Sequence, residues 1–256
     1  MSISPRQGAC ELAPYASLEG QSVVVTGSSS GIGRAIALEL AAAGADVLIH
    51  ARRNAEAARV VAEEIREIGR SAEVVLLDLA DPKASDSLVE TAWKWRPIDV
   101  WVNNAGVDVL TGAAADWPFD EKLAALWQVD VAATIRLSRL IGQRMKQRGL
   151  GVILNIGWDQ AESGMAGDSG EMFAVVKGAI ISFTRSLAKS LAPKVRVNCL
   201  APGWIKTKWG DAASYYWQER AVSERLMARW GTPEDVARAA RFLVSPSADF
   251  INGETL

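Results

Sequence analysis

The sequence predicts an α/β protein in which helices cover both faces of a doubly wound parallel sheet, within a single domain. Short apolar runs rich in valine, isoleucine and leucine recur along the chain, and stretches of helical periodicity separate them. Runs that are apolar at consecutive positions predict strands buried on both faces, as in a parallel sheet covered by helices. At 256 residues with 49% hydrophobic side chains, the chain is long enough to bury one large core.

Six apolar runs predict strands, and six amphipathic stretches predict helices. The strands are expected at residues 23–25, 47–49, 74–77, 100–102, 152–156 and 195–200. The helices are expected at residues 32–40, 60–68, 83–95, 122–148, 173–187 and 234–244. Proline and glycine interrupt residues 1–19, which predicts a loose N-terminal arm before a domain at residues 20–256.

The composition argues against several classes of function. The net charge of −2 does not suit a nucleic-acid binder, which needs a basic excess to neutralise phosphates. Cys10 and Cys199 do not form a CxxC pair, and His50 is the only histidine, so no metal site is predicted. No apolar stretch suits a signal peptide or a membrane span. We therefore expect a cytoplasmic protein without membrane contact.

A glycine-rich turn lies between the first predicted strand and the first predicted helix. It reads Thr-Gly-Ser-Ser-Ser-Gly-Ile-Gly over residues 26–33. Gly27 permits a tight turn, while Gly31 and Gly33 let backbone N–H groups approach an anion at the positive end of the helix dipole. A strand before the turn and a helix after it favour dinucleotide binding over an ordinary turn.

Three further segments occur in a recognisable order. Asp78 ends the third predicted strand, an Asn-Asn-Ala-Gly segment follows the fourth strand at residues 103–106, and Pro-Gly-Trp-Ile-Lys-Thr occupies residues 202–207. Together with the Gly-x-x-x-Gly-x-Gly spacing of the turn, these segments resemble the short-chain dehydrogenase/reductase family of the classical type, similar to the 3-oxoacyl-(acyl carrier protein) reductases. The resemblance runs from about Gly20 to the C-terminus.

The resemblance implies a Rossmann fold that binds a nicotinamide dinucleotide along its glycine turn, and a small-molecule substrate beside it. It also implies a homodimer or homotetramer, and a sheet of the seven-stranded type whose last strand is short or missing here. The cofactor contacts implied by the matching positions are Gly27, Ser29, Ser30, Gly31, Ile32, Gly33, Asp78, Leu79, Asn104, Ala105, Gly106, Lys177, Pro202, Gly203, Ile205 and Thr207.

The end of the second strand indicates which cofactor is preferred. An NAD-selective fold usually places Asp or Glu there to hold the ribose hydroxyls. This chain has Arg52 and Arg53, and its next carboxylate is Glu56. Because arginine can bind a 2′-phosphate through a planar fork of donors, we expect NADP(H) to be favoured over NAD(H), with Ser28 or Ser29 assisting. The alternative is that both arginines are simply solvated.

The catalytic positions depart from the family pattern. The resemblance implies a tyrosine that transfers the proton, a lysine four residues later, an upstream serine that holds the substrate oxygen, and a supporting asparagine. Lys177 is present, but Phe173, Trp158 and Asp130 stand at the other three positions. General acid–base catalysis typically contributes about 10²–10⁴ in rate, and phenylalanine cannot transfer a proton. Carbonyl reduction by the family mechanism should therefore be nearly abolished.

Three readings remain open. The first is an NADP-dependent oxidoreductase acting on a carbonyl or hydroxyl group with a substitute acid or base. Asp159 and Glu171 are the named substitutes, from an acidic segment that also holds Glu162 and Asp168, and Tyr215 and Tyr216 are others. The second reading is a catalytically silent NADP(H)-binding sensor or partner subunit, in which Lys177 pairs with Asp130. The third is a cofactor-assisted reaction that needs no tyrosine.

Four tryptophans suggest the nature of the substrate side. Trp158, Trp204, Trp209 and Trp217 are expected to cluster there, and an aromatic-lined pocket would suit a flat or sugar-like ligand. The alternative is that tryptophan, which occurs ten times, simply fills the core and interfaces.

Overall fold

The computed structural model describes residues 15–256, apart from the side chains of Trp209 and Ala212, and its centre is one parallel sheet. The six strands lie in the order β3-β2-β1-β4-β5-β6, and every pairing is parallel. This confirms the predicted doubly wound fold. The strands are β1 Ser22–Val25, β2 Asp46–Ala51, β3 Ala72–Leu76, β4 Val100–Asn103, β5 Gly151–Ile156 and β6 Val195–Leu200.

Helices connect the strands and cover both faces of the sheet. Along the chain these are α1 Gly31–Ala42, α2 Ala55–Glu67, α3 Pro82–Trp95, α4 Phe119–Leu126, α5 Thr134–Arg148, α6 Gln160–Ser163, α7 Asp168–Leu191, α8 Lys208–Ala212, α9 Tyr215–Ser223 and α10 Pro233–Val244. Short 3₁₀ turns occupy Gly112–Asp116 and Pro246–Ala248.

The long helix predicted at residues 122–148 is interrupted. Between α4 and α5 the residues Trp127–Ala133 form a π-helical segment, so helical structure continues with a locally wider winding. A π segment frequently marks a functional site because it shifts the side chains that follow. Asp130 lies in the middle of this segment and is buried.

The alternation of side chains along β1 produces two hydrophobic cores. Val23 and Val25 face the core shared with α1, α2 and α10, whereas Val24 faces the core shared with α3, α5 and α7. Successive side chains of a strand point to opposite faces of the sheet, so a strand between two helical layers must be apolar at every position. This is why the continuous valine run was readable as a central strand.

Both ends of the described chain pack onto this frame. Ala16 and Leu18 are buried, and the guanidinium of Arg241 donates to the Ala16 carbonyl at 2.9 Å. Residues 1–14 of the predicted arm lie outside the described residues. At the other end, the expected short last strand is a single parallel bridge between Thr255 and Cys199, beside β6.

A buried chain of polar side chains links β4, β5, α5 and α7. The indole N–H of Trp101 donates to Asn103 Oδ1 at 2.8 Å, and Asn103 Nδ2 donates to both Ser138 Oγ and Asn155 Oδ1, at 2.8 and 2.9 Å. Asn155 in turn donates to Thr184 Oγ1 at 2.9 Å. Because all five residues are buried, the network fixes the carboxyl ends of β4 and β5 relative to the helices behind them.

The described residues contain neither a membrane-spanning helix nor a metal-binding cluster. None of the described helices is both long and apolar enough to cross a membrane. Among residues 15–256, no group of three or more His, Cys, Asp or Glu side chains is arranged so that it could hold a metal ion.

The buried network makes a stability prediction. Asn103→Leu should lower the free energy of unfolding by about 2–5 kcal/mol, because it leaves the indole N–H of Trp101 and the side-chain oxygen of Asn155 buried without partners. Ser138→Ala removes only one bond and should cost about 1 kcal/mol. Urea unfolding followed by circular dichroism measures both, and equal midpoints for the two variants would contradict the prediction.

Candidate active site

The glycine turn after β1 is packed too closely for any larger residue. A Cβ on Gly27 would lie 2.8 Å from Ala105 Cα, and Gly27 itself has a φ of +64°. A Cβ on Gly33 would lie 2.3 Å from both the Gly27 oxygen and Asn104 Nδ2. These two glycines therefore allow the turn to approach the loop that follows β4.

The first turn of α1 is open toward the crevice at the sheet edge. Ser30 caps the helix without a side-chain hydrogen bond, and no acidic residue occupies the first turn. The nearest heavy atom to a Cβ on Gly31 would be Thr207 Cγ2 at 3.9 Å, so the space above this backbone is free. Free N–H groups at the positive end of a helix dipole suit a phosphate.

The loop after β4 is tied to the glycine turn by direct hydrogen bonds. The backbone N–H groups of Asn104 and Ala105 donate to Thr26 Oγ1 at 2.9 and 3.0 Å. The Asn104 side chain donates to the carbonyls of Thr26 and Gly27 at 3.0 and 3.1 Å. These hydrogen bonds hold the turn and the loop rigidly together at the crevice between β1 and β4.

His50 braces the same turn from β2. Its Nδ1 accepts from the Gly27 N–H at 3.2 Å, so its Nε2–H donates to the Leu77 carbonyl at 3.0 Å. Burial lowers the pKa of His50 from 6.5 to about 4, an effect that the Leu77 hydrogen bond and Asp78 partly oppose. A neutral imidazole with both nitrogens in use is a structural residue, in agreement with its position at the end of a strand.

The residues predicted to recognise the adenosine side of a cofactor lie around this brace. The side chains of Arg52 and Arg53 are exposed just after β2, and Arg53 Nη2 lies 3.9 Å from Asp78 Oδ2. Leu79 is buried beside them. Of the two candidate serines, Ser28 is buried and donates to the Val25 carbonyl at 2.7 Å, which leaves Ser29 as the more accessible hydroxyl.

Lys177 and Asp130 form an ion pair behind the crevice. Lys177 Nζ lies 3.0 Å from Asp130 Oδ2, and their side chains are 14% and 4% exposed. Asp130 Oδ1 also accepts from the Val107 N–H at 3.0 Å. A Cβ on Gly106 would meet Asp130 Oδ2 at 2.7 Å, so this glycine makes room for the carboxylate.

A cavity of about 450 Å³ opens from this pair toward α9. Phe173 and Trp158, which the sequence analysis assigns to the tyrosine and serine positions, both line it, with their ring centroids 6.2 Å apart in an edge-to-face arrangement. The cavity is lined by Ile32, Asn104, Leu110, Ile156, Gly157, Trp158, Met165, Ser169, Phe173, Lys177, Pro202, Gly203, Trp204, Ile205, Thr207 and Trp217. Within this described lining, Lys177 is the only ionisable side chain.

The carboxylates proposed as substitute acids lie elsewhere. Asp159 is ion-paired with Arg225, and Glu171 is exposed on the first turn of α7; neither belongs to the cavity lining. Tyr215 and Tyr216 are exposed on α9, and the Tyr215 hydroxyl donates to Glu219 at 2.7 Å. The structure therefore brings Lys177, Asp130, Trp158 and Phe173 together but places these four other candidates outside the lining.

Five lining residues were not anticipated as site residues from the sequence: Leu110, Ile156, Gly157, Met165 and Ser169. Ser169 lies one helical turn before Phe173 and two turns before Lys177, so the helical spacing of residues 169, 173 and 177 could have indicated it. Leu110 and Met165 belong to connecting loops without a periodic pattern.

Aromatic residues close the outer side of the cavity. Trp204 lies against Trp217 and Trp230, with ring centroids 5.6 and 5.9 Å away. The Arg220 guanidinium stacks over both Trp204 and Trp217, at 6.0 and 5.3 Å from their centroids. The predicted tryptophan cluster is thus present for Trp158, Trp204 and Trp217, whereas the Trp209 side chain lies outside the described residues.

Comparison with known proteins decides the family. The sequence profile of the family described as enoyl-(acyl carrier protein) reductase matches residues 27–256. The 3β-hydroxysteroid dehydrogenase 1 of Eggerthella lenta is 34% identical over 94% of this chain and 93% of its own length.

The chain belongs to the short-chain dehydrogenase/reductase family. This confirms the resemblance found in the sequence.

Two solved structures show how closely the folds agree. A short-chain dehydrogenase from Burkholderia cenocepacia in complex with NADP has a TM-score of 0.84 and 34% identity, and the match covers 93% of this chain and 96% of that one. A 3-oxoacyl-(acyl carrier protein) reductase from Agrobacterium tumefaciens with NADP bound has a TM-score of 0.87 and 30% identity, with 98% of each chain covered.

The pKa of His50 predicts how stability changes with pH. The folded protein holds this imidazole neutral down to about pH 4, whereas the unfolded chain protonates it near 6.5. The unfolded state therefore binds the extra proton first, and stability should fall by about 3 kcal/mol as the pH drops from 6.5 to 4.

Urea unfolding between pH 7.5 and 4.5 measures this effect. His50→Asn keeps an acceptor near Gly27 but cannot titrate, so its stability should be lower at neutral pH and should decline less steeply below pH 6.5. Parallel pH profiles for the two proteins would show that His50 is not the titrating group.

Proposed function

We propose that this short-chain dehydrogenase/reductase is an NADP(H)-dependent oxidoreductase with a non-standard active site, acting on a small molecule. The observation that carries the proposal is the position of the Lys177–Asp130 pair. It lies at the inner end of a cavity that continues past the glycine turn to the Pro202–Gly203 segment. On this proposal, the residues that would hold the cofactor are those of the family, and the changed positions lie on the proton-transfer side.

The residues present fit a dinucleotide. The space above Gly31 and the close approach of Gly27 to Ala105 form a cradle that any larger side chain would fill. The N–H groups of Gly31, Ile32 and Gly33 would face the pyrophosphate, and Asn104 would border the nearby ribose. Lys177 would hold the nicotinamide ribose beside Pro202, Ile205 and Thr207. The NADP complexes of the Burkholderia and Agrobacterium relatives support this assignment.

The preference for NADP(H) rests on Arg52 and Arg53. Both guanidinium groups are exposed beyond the end of β2, where a 2′-phosphate on the adenosine ribose would lie. Arg53 is near Asp78 only at 3.9 Å, so that contact does not prevent it from binding a phosphate. Ser29, at the open side of the turn, would add a hydroxyl donor.

The chain's own residues limit the chemistry that follows binding. A bound reduced nicotinamide would supply a hydride at the inner end of the cavity. Asp130 holds the Lys177 ammonium in place from 3.0 Å, and Phe173 and Trp158 line this part of the cavity with aromatic surface. Phenylalanine donates no proton, and the Trp158 indole can donate a hydrogen bond but no proton. Any proton transfer must therefore use Lys177, the hydroxyls of Ser169 or Thr207, the substrate or solvent.

A second candidate function is a catalytically silent NADP(H)-binding sensor or partner subunit. The observation that favours it is that Asp130 already satisfies Lys177 while Phe173 leaves no hydroxyl at the tyrosine position. Such a protein would bind the cofactor and turn over no substrate.

Cytoplasmic location and assembly as a homodimer or homotetramer stay predictions from the sequence and the family.

Cofactor selectivity can be tested by titrating the protein with NADPH and NADH while following tryptophan fluorescence. Arg52→Ala and Arg53→Ala should each weaken NADPH binding by about tenfold or more and leave NADH binding nearly unchanged, because each loses a charged hydrogen bond to phosphate. Arg59→Ala is the matched control, since Arg59 is exposed on α2 and faces Glu56. Equal losses for NADPH and NADH would contradict the assignment.

The proton-transfer defect can be tested by restoring the family residues. Phe173→Tyr combined with Trp158→Ser should raise the rate of NADPH-dependent reduction of simple ketones by about 10²-fold or more. Phe250→Tyr, at a fully exposed position, is the control for adding a phenol. If the double variant binds NADPH but reduces no ketone, then these two positions alone do not block turnover.

A further inference from the structure

The substrate side of the cavity is lined by four aromatic side chains. Trp158, Phe173, Trp204 and Trp217 line it together with Leu110 and Met165. Two of these rings already bind a cation, since Arg220 stacks over Trp204 and Trp217. Aromatic faces attract cations through the ring quadrupole, and the attraction grows when the site excludes water.

The cations around this lining are neutralised in pairs. Lys177 pairs with Asp130 at 3.0 Å, Arg225 pairs with Asp159, and Arg220 pairs with Glu224. The first pair matters most, because asparagine at position 130 would leave the lysine charge uncompensated inside the cavity. With aspartate there, a cationic ligand meets no net positive charge from these three groups.

Apart from the Lys177 ammonium, which Asp130 holds at 3.0 Å, the described lining offers only hydroxyl and amide hydrogen-bond donors and the Trp indoles. Its hydroxyls are those of Ser169 and Thr207, and it contains no phenol, imidazole or carboxylate. Reduction of a ketone creates an alkoxide that needs a proton, so this lining suits ketones poorly. Reduction of an iminium ion gives a neutral amine and needs no proton in the hydride step.

We infer that the cavity binds an iminium ion with a flat apolar body, and that the double bond reduced is C=N⁺ rather than C=O. A C–H bond forms at the iminium carbon, and the π electron pair moves onto nitrogen, which becomes a neutral amine. The bond that breaks would be a C–H bond of the reduced nicotinamide, which would give up the hydride with its electron pair and become oxidised NADP⁺. This inference rests on the proposed function for its cofactor.

The binding half of the inference needs no turnover. The probe is 2-methyl-3,4-dihydroisoquinolinium, and its uncharged isostere is 3-methyl-1,2-dihydronaphthalene, which has C=C in place of C=N⁺. Tryptophan fluorescence or calorimetry without cofactor should show the cation binding at least tenfold more tightly. Equal affinity for the two compounds would overturn the inference.

Variants locate the effect in the cavity. Asp130→Asn should reduce the preference for the cation to about twofold or less, because Lys177 is then uncompensated. Glu90→Gln, which removes a carboxylate paired with Arg144 on the surface, should leave the preference unchanged. Trp204→Leu should weaken the binding of the cationic probe by about fivefold, whereas Trp95→Leu on α3 should leave that binding unchanged. An unchanged preference in both folded cavity variants would overturn the inference.

Turnover separates this inference from the proposed function. NADPH oxidation should be at least 100-fold faster with the iminium probe than with 1-tetralone, after subtraction of the protein-free rate. If NADPH binds but both compounds react equally or not at all, the iminium inference is wrong and the cofactor assignment stands. If NADPH does not bind, the proposed function fails, and the reduction inferred here fails with it.

Discussion

The candidate site depends on the close approach of two loops at the carboxyl ends of β1 and β4. An added Cβ on Gly27 would overlap the Ala105 backbone across the gap, and one on Gly33 would overlap the Asn104 side chain and the Gly27 carbonyl oxygen. Thr26 and Asn104 convert that proximity into four hydrogen bonds. Since β1 pairs with both β2 and β4, this point is where the sheet changes winding direction, and a crevice opens there.

The fold could be read from the sequence because its strands are buried on both faces. Each predicted strand lies within about two residues of its observed bounds, since a run of consecutive apolar residues has few other uses. The π-helical segment at Trp127–Ala133 was not predictable from periodicity, which does not distinguish a single wide turn within a helix.

The candidate site, too, was predictable from the sequence only in part. Its glycine turn and Lys177 belong to local motifs, so the sequence indicated them. The Arg225–Asp159 pair joins residues 66 positions apart, and neither residue belongs to a motif. Asp159 was predicted as a substitute acid because the acidic segment is visible in the sequence, whereas its partner is visible only in the fold.

The Lys177–Asp130 pair joins the lysine that the sequence analysis matches to the family to the aspartate that it assigns to the asparagine position. Removing one member of a buried ion pair leaves the other charge uncompensated and is strongly destabilising, so the two residues must be considered as a unit. Nearby, burial raises the pKa of the Cys199 thiol to about 12, although the Lys177 charge opposes this shift. The raised pKa disfavours the thiolate form of Cys199 next to Gly157, and Lys177 is the only ionisable side chain of the described lining.

The three changed positions have a common physical consequence. If Phe173 and Trp158 occupy the tyrosine and serine positions as proposed, the first removes an acid and the second removes a small hydroxyl donor. Asp130 pairs with the lysine charge. Each of these changes then disfavours a developing alkoxide. Loss of catalysis alone would be achieved by Phe173 without the other two. Asp130 adds a negative charge that neutralises Lys177, and Trp158 adds a second aromatic ring, 6.2 Å from that of Phe173. Together these two residues favour an apolar or cationic ligand over an anionic one. Asp130 therefore matters most in choosing between a silent protein and an altered enzyme, because its charge alters what the cavity can bind.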